Sequence, residues 1–373
     1  MTREGVFGVR DRILNNCMLW IFGIDATLRL VVESQFMRIP YTDKITDMKL
    51  LGQAHLLLIG GTGRGKTDSL TALSKSIRAK HNRIQGTEDL RVPDITGQPE
   101  ILEDIGGKRS IVFEPGPVFC NILFVDENSR IPPKTMGALV EAMEERSVTP
   151  PNKRVNFGSD VKYTKTLPLF PISGDLHDET GPRWFSCMFT QNPFGEEEGT
   201  DTTPQAIWDR ITLCLEIPRP PLEAEMKIRA RNVVNRKMEP VTDLIEMSAA
   251  SQYIYDNMRF SEAADEYMTR ILRNTDPDSS VEKDTPALAE FVRTHVEKEK
   301  GGSPRVNFHL EAAARTHAFF AGDEVVKPEH VKAVAPAVIA HRLKLVPKIR
   351  HKEDARDVFA SILEDTAVPR WKT

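Results

Sequence analysis

A glycine-rich segment of eight residues has the composition and spacing needed to hold phosphate groups. Residues 60–67 read G-G-T-G-R-G-K-T, which fits the pattern G-x-x-x-x-G-K-[ST] at every fixed position. Glycines permit a tight turn whose backbone N–H groups point inward at phosphate oxygens. The residues predicted to bind ATP are Gly60, Gly61, Thr62, Gly63, Arg64, Gly65, Lys66 and Thr67. We expect Lys66 to reach the β and γ phosphates and the Thr67 hydroxyl to ligate Mg²⁺.

The segments on either side of the glycines agree with this interpretation. The apolar run at 55–59 is typical of a short buried strand, and Leu70, Leu73 and Ile77 recur at helical spacing. The glycines therefore lie between a strand and a helix. The amino end of that helix adds a partial positive charge that favours bound anions.

A pair of acids forms the second candidate element. Asp126 and Glu127 directly follow an apolar run at 121–125, which predicts another buried strand. Ligands of open parallel sheets bind at the carboxyl ends of the strands, so these acids should lie beside the glycine-rich loop. We predict that Asp126 holds Mg²⁺, partly through water, and that Glu127 orients or deprotonates the attacking water. The alternative is a pair of solvated carboxylates at a strand end.

Three further polar residues could complete such a site. Asn192 follows a third predicted strand at 184–190 and could bind the γ-phosphate or the water, although Asn-Pro also starts turns. Arg210 precedes a fourth strand at 211–217 and could enter a neighbouring subunit's site, or could simply pair with Asp209. Arg305 follows Ser-Pro at a helix start, which by itself indicates a capped helix with a solvated arginine.

Strands that alternate with helices predict an α/β fold with a parallel sheet, and helical patterns dominate after residue 218. We expect a nucleotide-binding core over 1–218, a helical domain over 219–345, and a charged tail or last helix over 346–373. Residues 36–50 are predicted to form an irregular connection.

The overall composition narrows the class of protein. The chain has 373 residues, 28% of them charged, and a net charge of −4, so its charge does not favour nucleic acid or anionic membranes. No run approaches the ~20 apolar residues of a membrane span, and we expect a cytoplasmic protein. The four scattered cysteines predict buried thiols in a reducing compartment.

Several short segments, in a fixed order between about residues 20 and 345, carry a resemblance to a known family. Besides 60–67 they are D-I-T-G at 94–97, F-E-P-G-P-V-F-C-N at 113–121, F-V-D-E-N-S-R-I-P-P-K-T at 124–135, E-A-M-E-E-R-S-V-T at 141–149, T-Q-N-P at 190–193, E-G-T at 198–200, D-R at 209–210, G-S-P-R at 302–305 and A-P-A-V-I-A-H-R-L-K-L at 335–345. Together these segments resemble the MoxR family of AAA+ ATPases.

The resemblance implies a P-loop AAA+ αβα core with a parallel sheet, followed by an all-α lid. It implies that 86–121 is an insertion in the second helix and that 147–182 contains a hairpin before the sensor strand. It also implies a homo-oligomeric ring, commonly a hexamer, that binds ATP between subunits. In that ring Asn192 would be the first sensor, Arg210 the arginine finger and Arg305 the second sensor. The family is associated with remodelling or assembly of partner proteins, often partners with von Willebrand factor A domains.

The chain departs from the family pattern at a few positions. It has Thr62 for proline, Gln205 for glutamate and Ile211 for phenylalanine, and the stretches 36–50, 150–182 and 270–300 are longer than usual. Three alternative functions remain open at this stage. They are a nucleic-acid motor of the same clade, a chelatase-type motor subunit that inserts a metal, and a scaffold that binds ATP without hydrolysing it.

Overall fold

The structure is a computed structural model. The residues that the structure describes are 1–43, 46–103, 109–149, 155–157, 160–162, 166–169, 183–193, 203–230, 237–278, 283–298, 305–350 and 353–369. The strands are Arg38–Thr42 (β1), Lys49–Gln53 (β2), Leu56–Ile59 (β3), Ile77–Arg78 (β4), His81–Gln85 (β5), Gly97–Glu103 (β6), Arg109–Pro115 (β7), Ile122–Asp126 (β8), Ser147–Val148 (β9), Val155–Phe157 (β10), Asp160–Lys162 (β11), Leu167–Pro168 (β12), Ser186–Gln191 (β13), Leu213–Glu216 (β14), Thr242–Asp243 (β15), Arg259–Phe260 (β16) and Val325–Val326 (β17).

The α-helices follow the same numbering in chain order. They are Arg3–Met18 (α1), Asp25–Glu33 (α2), Lys66–Ser76 (α3), Val92–Thr96 (α4), Pro133–Glu145 (α5), Gln205–Trp208 (α6), Leu222–Ala230 (α7), Leu244–Asn257 (α8), Glu262–Thr275 (α9), Pro286–His295 (α10), Val306–Ala321 (α11), Pro328–Ile339 (α12), Pro347–Arg350 (α13) and Ala355–Asp365 (α14). Short 3₁₀ turns occur at Ser34–Phe36, Asn128–Arg130 and Ala340–Arg342.

A five-stranded sheet, parallel throughout, forms the centre of the molecule. Its order is β14–β3–β13–β8–β5, so the five strands taken in chain order lie as 5-1-4-3-2. Strand β3 has β14 on one side and β13 on the other. The connection that leaves β3 runs to β5 on one side, whereas the connection that leaves β13 passes β3 to reach β14 on the other side, and this opens a crevice at the carboxyl ends of the strands. The predicted α/β fold with a parallel sheet is confirmed.

Both faces of the sheet are buried, which explains the unbroken apolar runs in its strands. Side chains alternate between the faces, so Leu56 and Leu58 enter one core and Leu57 enters the other. Helix α5 covers the second face with Met136, Leu139 and Met143. Helices α1 and α3 cover the first face together with the helical layer that follows the sheet.

The lid, defined here as helices α8–α12 and α14, shares its core with that first face of the sheet. Helix α14 belongs to this layer because Val358, Phe359, Ile362 and Leu363 are buried within it. Residues 355–365 thus form a last helix that packs within this layer. The wider division at 218 and 345 remains a prediction.

The prediction of an irregular connection at 36–50 was wrong. Strands β1 and β2 form a regular antiparallel hairpin in which Ile39 pairs with Gly52. The guanidinium of Arg146 lies 5.5 Å from the centre of the Tyr41 ring. A Cβ on Gly52 would lie 2.8 Å from that same guanidinium. The hairpin is therefore fixed by contacts with a residue about 100 positions away in sequence, which no local pattern reveals.

The inserted segments contain further hairpins. Strands β6 and β7 pair antiparallel within 86–121, and β9 pairs with β12 and β10 with β11 within 147–182. Residues 150–154, 158–159, 163–165 and 170–182 of the second segment lie outside the described residues. Assignment of these segments to the family's insertion and pre-sensor hairpin remains a prediction.

The cysteines are all buried, as the sequence predicts. Burial raises the pKa of Cys17 and Cys214 to about 11 and that of Cys120 to about 12, and it raises the pKa of Cys187 well above its ordinary value. Such thiols remain protonated and unreactive at neutral pH. Among the described residues, none of the helices combines the length and apolarity needed to cross a bilayer.

Candidate nucleotide-binding site

The glycine-rich loop leaves the carboxyl end of β3 and turns directly into α3. Gly63 and Gly65 have φ angles of 74° and 82°, in the left-handed region that favours glycine. A Cβ at either position would meet no atom within 4 Å. Glycine is therefore required by the backbone conformation rather than by close packing. The Gly60 N–H donates to the Gln191 carbonyl over 3.2 Å, which fixes the start of the loop against β13.

The amino end of α3 points its backbone donors at the loop. The first intrahelical bond runs from Ser69 N–H to the Gly65 carbonyl, at 2.9 Å. The backbone N–H groups in the first turn of a helix precede such a bond and point toward the amino end of the helix. Together with the helix dipole they favour a bound anion. Arg64 lies beside this turn and donates to the Ile217 carbonyl over 3.4 Å.

The Lys66 ammonium group lies among oxygen atoms at the carboxyl edge of the sheet. It donates to the carbonyls of Gly60 and Gly61, the latter at 3.1 Å, and to Asn192 Oδ1 at 2.7 Å. Asn192 reaches it because β13 runs parallel to β3, so both strands end at the same edge. The structure therefore brings together the lysine and the amide that the sequence places 126 residues apart.

Asp126 is the last residue of β8, and its carboxylate faces the start of α3. Both carboxylate oxygens lie 3.2 Å from Thr67 Oγ1. They also accept hydrogen bonds from the Thr190 hydroxyl and the Arg83 guanidinium. A hydroxyl beside a carboxylate forms the hard oxygen donor set that Mg²⁺ takes when it also binds phosphate. Thr67 and Asp126 therefore fit the predicted metal site.

Glu127 continues the chain in a left-handed conformation, with φ of 52°. Its N–H donates to Thr190 Oγ1 at 3.2 Å, and its carboxylate accepts from Gln85 Nε2 at 3.2 Å. Arg130 Nε lies 3.4 Å from the same carboxylate oxygen. A Cβ on Gly86 would lie only 2.2 Å from the Glu127 carbonyl, so glycine there allows the two segments to meet. The strained backbone is held by the bond to Thr190, and the carboxylate is held by Gln85 and Arg130.

Four residues that contact the two acids were not predicted from the sequence, namely Arg83, Gln85, Arg130 and Thr190. Arg83 and Gln85 are two residues apart on β5, so both side chains lie on the same face of the strand. Gln85 is in register with Asp126. The guanidinium of Arg83 also donates to Gln85 Oε1 at 2.9 Å. Only the pairing of β5 with β8 reveals this contact, and the sequence does not show which strands pair.

The guanidinium of Arg83 contacts the carboxylate of Asp126, which is predicted to bind Mg²⁺. We expect Arg83→Gln to lower the Mg²⁺ concentration for half-maximal nucleotide binding by roughly three- to tenfold, because one competing cation is removed. Titration of Mg²⁺ at a constant concentration of fluorescent ATP measures this half-maximal Mg²⁺ concentration. Arg78→Gln, an exposed arginine just before β5, is the matched control. A higher Mg²⁺ requirement in Arg83→Gln would contradict the competition.

Two predicted site residues, Arg210 and Arg305, do not lie near the loop. Arg210 Nη2 pairs with Glu144 Oε2, and Arg305 Nη2 lies 2.6 Å from Glu144 Oε1. The side chain of Arg210 is 14% exposed and that of Arg305 is 47% exposed. Desolvation, and then the charge of Arg305, lower the pKa of Arg210 to about 10. The Arg210 guanidinium stays charged at neutral pH, and it shares one carboxylate with Arg305.

The register of β14 with β3 shows how far Arg210 is from the phosphate-binding loop. Strand β14 begins with Leu213 beside Leu56 and ends with Glu216 beside Ile59. Arg210 precedes the start of β14, whereas the loop follows the end of β3. The two lie at opposite edges of the sheet, separated by about 13 Å of strand. Arg210 therefore faces away from the phosphate-binding loop of its own chain.

A P-loop at the carboxyl edge of a 5-1-4-3-2 parallel sheet, with acids on the third strand and a helical lid, defines an AAA-type nucleotide-binding protein. The sequence model of the ATPase family associated with various cellular activities (AAA) matches residues 55–164, and that of the AAA lid domain matches residues 291–362. The crystal structure of a candidate ATPase from Cytophaga hutchinsonii ATCC 33406 superposes with a TM-score of 0.71, covering 98% of each chain at 23% identity.

Relatives of known sequence narrow the class further. The chain is 30% identical to the uncharacterized protein YeaC of Bacillus subtilis, over 86% of this chain and 87% of that protein. It is 29% identical to the chaperone MoxR1 of Mycobacterium tuberculosis, over 86% and 76%. It is 28% identical to the protein MoxR of Paracoccus denitrificans, over 84% and 86%. The chain belongs to the MoxR family of AAA+ ATPases.

Proposed function

We propose that this chain binds Mg²⁺-ATP on the loop at 60–67 and hydrolyses it to ADP and phosphate. One observation carries the proposal. The residues that converge at one edge of the sheet come from three separate parts of the sequence, and they are Lys66, Thr67, Asp126, Glu127 and Asn192. Structural ion pairs do not require a lysine, a hydroxyl, two acids and an amide around a glycine-rich loop at the amino end of a helix. The hydrolysis of a phosphoanhydride uses all of these groups.

Each of these groups has a distinct role in the proposal. The loop amides and Lys66 would bind the β and γ phosphates, and Thr67 and Asp126 would hold Mg²⁺. When bound, the metal would neutralise charge on the phosphate oxygens. Glu127 would orient the attacking water and accept its proton, and Asn192 would hydrogen-bond the γ-phosphate or that water. The bond between the γ-phosphorus and the bridging oxygen breaks as the water attacks.

Arg210 and Arg305 act in this proposal on the nucleotide of a neighbouring copy. Their position at the opposite edge of the sheet keeps them from the P-loop of their own chain. A head-to-tail contact would bring that edge to the next subunit's carboxyl edge, and repetition of the contact closes a ring. Arg210 would then be the arginine finger and Arg305 the second sensor, in a homo-oligomer that is commonly hexameric in this family.

The cellular role of ATP hydrolysis is proposed from the similarity to a named relative. A relative is named a chaperone, and we propose that this chain likewise remodels or assembles partner proteins in the cytoplasm. A client or a partner with a von Willebrand factor A domain would bind the ring. Hydrolysis would then change the contacts of Asn192, Arg210 and Arg305, and this would shift the lid against the core.

Loss of nucleotide binding in a Lys66 variant tests the proposal directly. We expect Lys66→Ala to weaken Mg²⁺-ATP binding at least about 10²-fold, because charge-assisted bonds to two phosphates are lost. Calorimetric titration of the purified protein measures this. Lys75→Ala, an exposed lysine on the same helix, should bind as tightly as the natural protein. Equal affinity in Lys66→Ala would place the nucleotide elsewhere.

A further inference from the structure

The 3₁₀ turn Ala340–Arg342, which directly follows lid helix α12 and is counted with the lid from here on, binds the backbone on both sides of Arg210. The side chain of Arg342, only 3% exposed, donates to the Ile211 carbonyl at 2.6 Å and approaches the Asp209 carbonyl at 3.4 Å. His341 Nε2 lies 3.1 Å from the Ile211 carbonyl. Two consecutive side chains of the lid therefore hold the residues before and after the proposed arginine finger.

The protonation states of both side chains suit this role. Burial, and then the charge of Arg342, lower the pKa of His341 well below its ordinary value. The ring is therefore neutral at pH 7, and its proton lies on Nε2, where the Ile211 carbonyl accepts it. Burial lowers the pKa of Arg342 to about 9, so the guanidinium remains charged. A buried charge is costly unless it is hydrogen-bonded, and these carbonyls supply that compensation.

Other contacts join residues 208–212, which flank Arg210, to the lid. The imidazole of His341 lies 6.0 Å from the Trp208 ring, at the end of α6. His309 Nδ1, on lid helix α11, lies 3.0 Å from Thr212 Oγ1. The side chain of Arg210 is meanwhile fixed by Glu144 and by the Ala206 carbonyl, to which it donates at 2.7 Å. The lid thus fixes the backbone at Arg210, while α5 and α6 fix its side chain.

We propose that His341 and Arg342 are positioning residues for Arg210, so that the lid of one subunit sets the placement of the group that completes the next subunit's active site. This inference rests on the proposed action of Arg210 in trans. A misplacement of a catalytic group by about 1 Å can cost up to 10²-fold in rate. Movement of the lid relative to the sheet would therefore be transmitted to the neighbour's ATP as a change in its rate of hydrolysis.

A mixing experiment separates this role from general stability. A donor chain carries Glu127→Gln, so it supplies an intact Arg210 but hydrolyses its own ATP only very slowly. An acceptor chain carries Arg210→Ala, so it keeps its own catalytic acids but lacks the finger. Phosphate release by the mixture then reports only interfaces where a donor arginine meets an acceptor site. His341→Phe is placed first on the donor chain and then, separately, on the acceptor chain.

We expect His341→Phe on the donor to lower phosphate release roughly three- to tenfold at unchanged KM for ATP, since one hydrogen bond is lost. The same change on the acceptor should have no effect. His341→Gln on the donor should restore activity, because an amide N–H can replace Nε2–H. Arg342→Lys on the donor should lower release at least as much. Arg315→Lys is the control, since Arg315 bonds the Tyr255 and Met258 carbonyls inside the lid.

Two results would overturn the inference. Equal loss in the donor and acceptor arms would show that His341 serves only stability, and an unchanged rate in the donor arm would show that it does not position Arg210. Thermal unfolding of each variant, compared with the natural chain, verifies that the arms contain folded protein. A mixture without any recovery of activity is a separate result, which would refute the action of Arg210 in trans and with it the proposed assembly.

Discussion

Glu127→Gln should bind Mg²⁺-ATP with nearly unchanged affinity but hydrolyse it about 10²- to 10⁴-fold more slowly. Glutamine has the same shape as glutamate and can still accept a hydrogen bond from Gln85, which lies 3.2 Å away. It cannot accept a proton from water, and that proton transfer is the proposed role of Glu127. Steady-state phosphate release and equilibrium binding of fluorescent ATP, measured on the same preparation, separate the two effects.

Glu290→Gln is a suitable control because its side chain is exposed on lid helix α10 and its ion pair among the described residues is with the nearby Arg293. It should hydrolyse ATP at the natural rate. Normal hydrolysis by Glu127→Gln would show that another group activates the water. Normal binding without turnover in the natural protein would instead favour the scaffold that holds ATP without hydrolysing it.

Arg210→Ala should lower kcat by about 10³-fold or more, with little change in the affinity of a single chain for Mg²⁺-ATP. The guanidinium is charged, 14% exposed and directed away from the P-loop of its own chain. It would therefore contribute to the transition state on a neighbouring subunit and leave nucleotide binding in its own site unchanged. Single-turnover hydrolysis at saturating ATP, together with equilibrium binding, measures the two quantities.

Mixing shows whether the arginine acts between chains. Arg210→Ala and Glu127→Gln are each nearly inactive, but a mixture contains interfaces with one intact finger and one intact acid. We expect phosphate release by the mixture to exceed that of either variant by at least about tenfold. Arg293→Ala, whose arginine pairs with Glu290 on the lid surface, should behave as the natural chain when mixed. A mixture no more active than its components would mean that Arg210 serves its own chain or only its own fold.

The Glu127→Gln variant also offers a route to the client. A chain that retains ATP should hold its partners in the bound state, since the step that releases them is blocked. Proteins retained by this variant with ATP, and lost in Lys66→Ala, would be bound in a nucleotide-dependent way. A retained nucleic acid in place of a protein would favour the alternative of a nucleic-acid motor.

The local sequence determines the chemistry at the carboxyl edge of the sheet. The spacing of glycines, lysine and threonine at 60–67 specifies a phosphate-binding turn, and apolar runs place Asp126 and Asn192 at strand ends. Parallel strands bring their carboxyl ends to one edge, so the convergence of these residues follows from pattern alone. The contacts of Lys66 with Asn192 and of Thr67 with Asp126 have the arrangement that this rule leads one to expect.

Only the tertiary structure decided which strands pair and which distant side chains meet. Arg83 contacts Asp126 because β5 lies beside β8, and Arg210 and Arg305 share Glu144 although Glu144 and Arg305 are 161 residues apart. The β1–β2 hairpin packs against Arg146 in the same manner. Periodicity records which face of a helix or strand is buried, but not the partner that covers it. Those contacts are set by the packing of the whole core, where shape and the compensation of buried charge act over long separations in sequence.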